Sequence, residues 1–149
     1  MDVQIRLADS ASGERLFLPS YGSAQAAGAD LRAAVNETLT LEPGERCLIP
    51  TGFHMALPQG FEGQVRGRSG LALRHGLYIP NAPGTIDADY RGEVGVILQN
   101  GGQDPVRIER GERIAQLVFA PVQQGCFVLC DQLGETPRGA GGFGSTGRR

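Results

Sequence analysis

Two carboxylates lie close together in a stretch that is otherwise rich in turn-forming residues. Asp87 and Asp89 belong to residues 81–92, whose Asn, Pro, Gly and Asp residues favour a hairpin. A carboxylate that faces a pocket can accept a proton from water and so act as a general base. We therefore expect one of the two to face a pocket and the other to face solvent or an arginine. A polar turn without a chemical role would contain the same residues and is the alternative.

The sequence Gly67-Arg68-Ser69-Gly70 indicates a different chemistry, the binding of an anion. It precedes a short run of helix-forming residues, and the free N–H groups and the dipole at the beginning of a helix attract anions. The arginine and the hydroxyl add further hydrogen-bond donors. Arg68, Ser69 and Gly70 are therefore candidates for a phosphate cradle. The alternative is an ordinary N-cap at Ser69 beside a solvated arginine.

The C-terminal residues 134–149 contain many glycines and one large apolar side chain, Phe143. Glycine lets backbone N–H groups approach phosphate oxygens closely. Arg138, Ser145 and Thr146 add donors, and the ring of Phe143 can stack on a base. The segment has too few apolar residues to form its own core, so we expect it to be mobile when free. It is either a lid that closes over a ligand or a disordered tail.

Composition excludes several classes of protein. All 14 basic side chains are arginine, which excludes P-loop ATPases, pyridoxal enzymes and protein kinases, because each needs a lysine. The net charge of −2 provides no general basic surface for nucleic acid. Three cysteines and two histidines lack metal-binding spacing, which predicts no protein metal site and a reduced, cytoplasmic protein. The sequence has neither a signal pattern nor an apolar run of about 18–20 residues, so we expect no contact with a membrane.

These groups must be positioned by a fold built mainly from short strands. Apolar and polar residues alternate between Gly, Pro and Asn turns at a spacing of about 8–12 residues, which predicts an all-β sandwich or barrel. One short helix is predicted to begin after an N-cap at Ser69 and to end at Gly76. A last strand is predicted over residues 126–130, with Cys126 and Cys130 in the core. We place a single domain at residues 1–133 and the glycine-rich tail at residues 134–149.

Five stretches together resemble the trimeric deoxyuridine triphosphatases (dUTPases), which cleave dUTP to dUMP and pyrophosphate. The stretches are residues 27–31 (AGADL), 68–72 (RSGLA), 84–93 (GTIDADYRGE), 111–117 (GERIAQL) and 138–147 (RGAGGFGSTG). One such stretch alone is weak evidence, whereas five in order, with the glycine-rich stretch last, are highly specific. The resemblance implies a homotrimer of jelly-roll-like β subunits with three sites at the subunit interfaces.

The resemblance also implies a role for each candidate residue. Asp87 would be the general base for the attacking water, and Asp30 would support a metal-bound water or the geometry of the site. Tyr90 would pack under the deoxyribose. The other residues form three sets: Asn81 with Gly84, Thr85, Ile86 and Asp87 for the uracil; Arg68, Ser69, Gly70 and Gln116 for the phosphates; and Phe143 closing over the uracil, with Arg138, Gly144, Ser145 and Thr146 closing over the phosphates.

The resemblance further implies Mg²⁺ as cofactor, held mainly by the substrate triphosphate and waters. The partners expected are dUTP and further copies of the chain, with no nucleic acid and no membrane. Two other functions remain open. A dCTP deaminase shares the overall fold and needs a glutamate near the hairpin, where Glu93 is the candidate. A non-catalytic trimer on the same scaffold would be favoured by loss of Asp87 or of the tail, and both are present.

Overall fold

Two antiparallel sheets supply most of the fold in residues 1–8 and 18–142, which are the residues that this computed structural model describes. The elements in chain order are β1 (Gln4–Leu7), β2 (Ser20–Tyr21), β3 (Ala29–Arg32), β4 (Leu39–Leu41), β5 (Arg46–Ala56), β6 (Phe61–Arg66), α1 (Ser69–His75), β7 (Leu77–Tyr78), β8 (Gly84–Ile86), β9 (Glu93–Asn100), β10 (Val106–Ile108) and β11 (Arg113–Pro121). One sheet has the order β1-β5-β9-β7, the other has the order β2-β3-β11-β6-β8, and β10 pairs with β4. The prediction of an all-β fold with a short helix is confirmed.

The core lies between the two large sheets and is formed largely by alternate residues of their longest strands, apart from the register shift at the beginning of β11. This period of two follows from the alternation of side chains between the faces of a strand. Burying one such side chain contributes about 1.5–3 kcal/mol, so a shift of register by one residue would be costly. The most deeply buried side chains of the long strands are Ile49 and Phe53 in β5, Val94, Val96 and Leu98 in β9, and Ile114 and Leu117 in β11.

The five-stranded sheet carries a row of polar residues on the face turned away from this core. Asp30 of β3 pairs with Gln116 of β11, which in turn pairs with Arg66 of β6. Leu117 and Val65, which follow and precede members of this row along their strands, are buried in the core. Because successive side chains point to opposite faces, the core packing itself turns the polar row outward.

The helix differs from the prediction at its beginning and agrees with it at its end. Arg68, not Ser69, occupies the N-cap position, and its side chain makes no capping hydrogen bond. Ser69 is the first helical residue, so the predicted cap is wrong by one position. Gly76 has the left-handed φ of 67° predicted for this end, and its N–H reaches the carbonyl oxygens of Ala72 and Leu71. No helix in the described part of the chain is long and apolar enough to cross a membrane.

The stretch that follows β11 contradicts the prediction of a last, buried strand. Residues 122–130 form no strand, and Cys126 and Cys130 are exposed. Phe127 is 101% exposed and Leu129 is 99% exposed. The short apolar run of residues 126–130 suits a strand, but a strand needs a neighbour for its backbone groups. Within the described residues of this chain, no strand pairs with this stretch.

Candidate active site

The buried carboxylate of Asp30 brings two arginines together. Asp30 is 6% exposed, and its Oδ2 accepts a hydrogen bond from Arg113 Nη1 at 3.1 Å. Its Oδ1 lies 3.2 Å from Arg68 Nε, which is an ion-pair distance without the angle of a hydrogen bond. Arg68 Nη1 also donates to the carbonyl oxygen of Arg113 at 3.1 Å. One carboxylate of β3 thus connects the N-cap residue of α1 to the first residue of β11.

This cluster is arranged to attract a further anion. It contains two guanidinium groups and one carboxylate, so it has a formal excess of one positive charge. The side chain of Arg68 is 24% exposed and that of Arg113 is 48% exposed. Each guanidinium has five N–H donors in a planar fork, and those not used by Asp30 can bind phosphate oxygens in charge-assisted hydrogen bonds.

Gln116 lies beside this cluster because Gly28 leaves space for it. A methyl group added at Gly28 would lie 3.1 Å from Gln116 Cβ and 3.3 Å from its Oε1. Gln116 is opposite Asp30 in the sheet register. The two residues in the first turn of α1, Ser69 and Gly70, follow Arg68 directly along the chain. The structure therefore assembles the four residues predicted to hold phosphates around Asp30 and the beginning of α1.

The predicted base-reading residues lie on an edge of the five-stranded sheet. Gly84, Thr85 and Ile86 form β8, which pairs with β6 on one side and is the last strand in the sheet order. An edge strand presents backbone N–H and C=O groups on its free side, which can pair with the edge of a planar base. Asn81 reaches the beginning of this strand, since a methyl group added at Gly84 would lie 3.0 Å from Asn81 Nδ2.

Asp87 and Tyr90 occupy a tight turn between β8 and β9. The Tyr90 N–H donates to the carbonyl oxygen of Asp87 at 3.1 Å and closes the turn. Arg91 Nη1 donates to the carbonyl oxygens of Ala88 at 2.7 Å and Tyr90 at 2.8 Å. His54 Nδ1 lies 2.9 Å from the carbonyl oxygen of Arg91 and ties the turn to β5. The carboxylate of Asp87 is exposed, but the backbone that carries it is well fixed.

Both carboxylates of the turn line one cavity. Its volume is about 760 Å³, and its wall includes Asp87, Asp89 and Arg91 on one side and Glu62 and Gln124 on the other. Asp87 and Asp89 thus share one cavity, and Asp89 is also exposed and shares the lining with Arg91. The turn after β8 is not strand, so the alternation of strand side chains does not separate them. Of the residues predicted for the site, the lining of this cavity includes Asp87 alone.

The hydrogen bonds and packing contacts therefore place the predicted residues in two groups. Asp30, Arg68, Ser69, Gly70 and Gln116 form the phosphate group at β3, α1 and β11. Asn81, Gly84, Thr85, Ile86, Asp87 and Tyr90 form the base group at β8 and the turn after it. Asp30 on β3 is three strands from β8, about 14 Å at a strand spacing of about 4.8 Å. Gln116 on β11 is two strands from β8, and Arg68 follows β6, the strand that pairs with β8.

Among the predicted tail residues, Arg138 lies in the described part of the chain and joins neither group. Arg138 Nε donates to the carbonyl oxygen of Gly141 at 2.9 Å, inside a turn of the tail itself. Phe143, Gly144, Ser145 and Thr146 lie outside the described residues. The tail is joined to the barrel by residues 122–135, which are exposed throughout.

Two residues of the site received no role from the sequence. Arg113 shares Asp30 with Arg68, and Arg91 bridges the carbonyl oxygens of the turn. Both arginines lie inside sequence stretches that contain other predicted site residues. Their position in these stretches is the signal that could have identified them. The contact of Arg113 could not be foreseen, because Arg113 and Asp30 are 83 residues apart in the chain.

The charged side chains of the phosphate group are already engaged with one another. Among the residues described, no cluster of three or more His, Cys, Asp or Glu side chains could hold a metal ion. The carboxylate of Asp30 is already engaged by two arginines. Beside Asp30, the groups that remain available include guanidinium N–H donors, which bind phosphate oxygens rather than a cation.

Comparison with known proteins identifies the family. The dUTPase family model matches residues 14–147. The deoxyuridine 5'-triphosphate nucleotidohydrolase of Rhizobium leguminosarum bv. trifolii is 60% identical over 139 residues, which cover 92% of this chain and 89% of that protein. The protein of the same name from Rhizobium etli is equally similar, with 60% identity over the same shares of the two chains.

Solved structures give the same result for the fold. The dUTPase of Staphylococcus bacteriophage 80alpha, with bound dUPNHPP, superposes with a TM-score of 0.85 at 28% identity and covers 98% of both chains. The dUTPase of phage phi11 of S. aureus, described with a structural Mg(II) ion, has a TM-score of 0.78 at 24% identity and covers 91% of this chain and all of that chain (100%). The jelly-roll-like fold predicted from the sequence is confirmed.

Proposed function

This chain belongs to the dUTPase family, and we propose that it hydrolyses dUTP to dUMP and pyrophosphate with the residues of the two groups described above. The observation that carries the proposal is Asp87, an exposed carboxylate on a fixed turn directly after the edge strand β8. If the backbone of β8 hydrogen-bonds to the base, the sugar and phosphates of the nucleotide would lie beside the Asp87 carboxylate. The reaction limits uracil incorporation into DNA and supplies dUMP for thymidylate synthesis.

Uracil recognition is assigned to the free edge of β8 and to Asn81. The backbone of Thr85, Ile86 and Asp87, with Gly84 at the start of the strand, offers donors and acceptors in a fixed order. A base whose edge has a different order leaves buried polar groups unpaired, which costs much more than losing one contact. The same close fit leaves little room for the methyl group of thymine. Tyr90 packs under the deoxyribose and leaves little room for a 2′-hydroxyl.

Phosphate binding is assigned to Arg68, Ser69, Gly70 and Gln116. Arg68 is held in place by Asp30, so its guanidinium loses little further freedom on binding a phosphate. Asp30 acts in this proposal as a positioning residue, since its carboxylate is engaged with arginines. This arrangement favours support of site geometry over the binding of a metal-bound water, the two roles that the family resemblance implies for Asp30.

The chemical step is an in-line attack of water on the α-phosphorus. Asp87 accepts a proton as the water oxygen forms its bond to phosphorus, and the bond from phosphorus to the bridging oxygen of the β-phosphate breaks. The electron pair of that bond leaves with pyrophosphate, and dUMP retains the α-phosphate. Bound Mg²⁺, held chiefly by the phosphates and waters, would offset the developing negative charge. The arginines of this chain orient the triphosphate and spread the same charge.

The active unit is proposed to be a homotrimer in the cytoplasm, with each site completed at a subunit interface. The resemblance to the family supports this assignment, because the sites of that family lie at subunit interfaces. The exposed residues 122–133 also favour contact with another copy. In this proposal residues 1–133 form the domain, and residues 134–149 close over a site as a lid. Arg138, Gly144, Ser145 and Thr146 then cover the phosphates, and Phe143 covers the uracil.

Release of pyrophosphate from dUTP, dCTP, dTTP and UTP, measured side by side with and without Mg²⁺, tests the proposal. We expect rapid release from dUTP, slow release from the other three, and a large loss when Mg²⁺ is removed. Ammonia is measured in the dCTP reaction at the same time. Ammonia release would favour the dCTP deaminase, and binding of dUTP without any pyrophosphate would favour the non-catalytic trimer.

A further inference from the structure

We infer that Gly92 sets the position of the Tyr90 ring and thereby the preference of this site for deoxyribose over ribose. The inference rests on the proposed function, in which Tyr90 packs under the sugar. Gly92 lies in the same stretch of sequence as Asp87 and Tyr90, but none of the roles above uses it. Because Gly92 has no side chain, it leaves space that the Tyr90 ring occupies.

The ring of Tyr90 lies directly against the backbone of Gly92. A methyl group added at Gly92 would overlap the Tyr90 Oη and Cζ atoms and would lie 2.9 Å from its Cε2. These atoms belong to a rigid ring, so the overlap cannot be relieved by bending the end of a flexible chain. The φ of Gly92 lies outside the left-handed region, so alanine could adopt the backbone here. Space for the ring is therefore the reason for glycine at this position.

Tyr90 is also held by hydrogen bonds at its backbone and at its hydroxyl. The Tyr90 N–H donates to the carbonyl oxygen of Asp87, and the Tyr90 hydroxyl donates to the carbonyl oxygen of Glu93 at 3.1 Å. Glu93 begins β9, and its Oε1 accepts a hydrogen bond from the N–H of Gly52 in β5 at 2.8 Å. Tyr90 is nevertheless 45% exposed, so part of the ring is free to contact a ligand. The four-stranded sheet thus fixes an aromatic surface beside the catalytic turn.

Such a surface can discriminate between deoxyribose and ribose only if its distance from the bound sugar is fixed. In this inference, a ring whose hydroxyl end is held at Gly92 leaves a gap that fits the C2′ methylene of deoxyribose and is too narrow for a hydroxyl. A methyl group at position 92 would push the ring off the backbone and break its hydrogen bond to Glu93. The gap would then no longer match deoxyribose. The sugar of dUTP would lose packing contacts, and the 2′-hydroxyl of UTP would be excluded less strongly.

The test is a double-mutant cycle on substrate selectivity. The kcat/KM values for dUTP and UTP are measured for the wild type, Gly92→Ala, Tyr90→Ala and the double variant. We expect Gly92→Ala to lower the dUTP:UTP ratio about tenfold, within the roughly 100-fold that exclusion of one hydroxyl can provide. Because the methyl group acts through the ring, the double variant should be no less selective than Tyr90→Ala. A full additional loss in the double variant would overturn the inference.

Gly95→Ala is the matched control. A methyl group at Gly95 would lie 2.6 Å from Leu48 Cδ1, so it displaces a flexible side chain on the outer face of the other sheet. We expect its dUTP:UTP ratio to equal that of the wild type. An equal fall in both glycine variants would show a general effect of packing strain and would also overturn the inference.

A second measurement reports the ring position without any catalysis. The chain contains no tryptophan and three tyrosines, so Tyr21→Phe with Tyr78→Phe leaves Tyr90 as the only emitter. In that background, quenching of Tyr90 emission by acrylamide should increase when Gly92→Ala is added. Unchanged quenching in a folded variant would contradict the inference, even with dUTP hydrolysis intact. If the wild type does not hydrolyse dUTP, the proposed function fails and the selectivity role falls with it, whereas increased quenching would still establish the contact.

Discussion

The turn that carries Asp87 and the segment that follows β11 are both exposed, yet they differ in what fixes them. The backbone of the turn is bonded at Asp87, Ala88, Tyr90 and Arg91, by groups within the turn and by His54 of β5. After Val122, whose N–H reaches the carbonyl oxygen of Gly60 at 2.8 Å, the described segment makes hydrogen bonds only within residues 136–141. Exposure alone therefore does not identify a mobile part of this protein.

The difference shows how the two regions can serve one reaction. A general base must be held at a fixed distance from the attacked phosphorus, which a bonded turn provides. A lid must leave the site for each substrate and product, which a loosely attached segment provides. The four changes below test this division.

Asp87→Asn should have the largest effect. The amide keeps the size of the side chain but cannot accept the proton, so kcat should fall about 10³-fold, within the usual range for a general base. Equilibrium binding of dUTP should be retained. The matched control is Asp89→Asn, because Asp89 lies on the same turn and lines the same cavity. Equal losses of kcat in the two variants would mean that the charge of the cavity matters rather than proton transfer by Asp87.

Phe127→Asp tests whether the segment after β11 is covered by another copy of the chain. A charge on a side chain that is 101% exposed should be harmless if the chain acts alone. In the proposed trimer we expect sedimentation to show smaller species and activity to fall about 100-fold, since the sites lie between subunits. Gln123→Asp adds the same charge to the same segment without removing an apolar group, and it should remain trimeric. A fully active trimer of Phe127→Asp would place this side chain outside the interface.

Truncation after Pro137 removes the tail from Arg138 onward. We expect a loss of about 100-fold in kcat/KM, because bulk water then enters the site and the phosphates lose donors. The melting temperature should stay within about 1–2 °C of the wild type, since no part of the core is removed. Pyrophosphate release and thermal unfolding are measured on the same preparation. Hydrolysis of dUTP at the full rate would eliminate the role of the tail as a lid.

Asp30→Asn should have the smallest effect of the four. The amide leaves two arginine side chains close together without a counter-charge, so Arg68 is held less firmly for the phosphates. We expect the KM for dUTP to rise about tenfold with a smaller change in kcat, equal to about 1.4 kcal/mol of lost binding. Asp104→Asn, at an exposed position in another loop, serves as the control. An unchanged KM would remove Asp30 from the positioning of the phosphate ligands.

Local signals in the sequence predicted the parts of the fold that depend on neighbouring residues. The alternating stretches became strands because one face of each could be buried, as in β9 with Val94, Val96 and Leu98. Gly76 ended the helix because its left-handed φ suits glycine. The cap at Ser69 was misplaced by one residue, since a serine is a common N-cap but Arg68 holds the extended backbone at this position.

Long-range contacts could not be predicted in the same way. The ion pairs of Asp30, the space at Gly28 for Gln116, and the ring of Tyr90 against Gly92 depend on register and on the packing of strands. Residues 126–130 are a short apolar run typical of a strand and form none, because strand formation needs a partner that this chain does not supply in its described residues. The roles of the individual site residues remain predictions.

The sequence by itself determined which groups the protein has for chemistry and in what order they occur. Arginines without lysine, the carboxylate at position 87 and five stretches in a specific order are properties of the chain, and they were sufficient to indicate the family. Only the tertiary structure decided which of these groups meet. A carboxylate can hold two arginines from distant stretches only after burial of the core has fixed the register of β3 and β11, because contacts between distant residues arise from packing and not from local propensity.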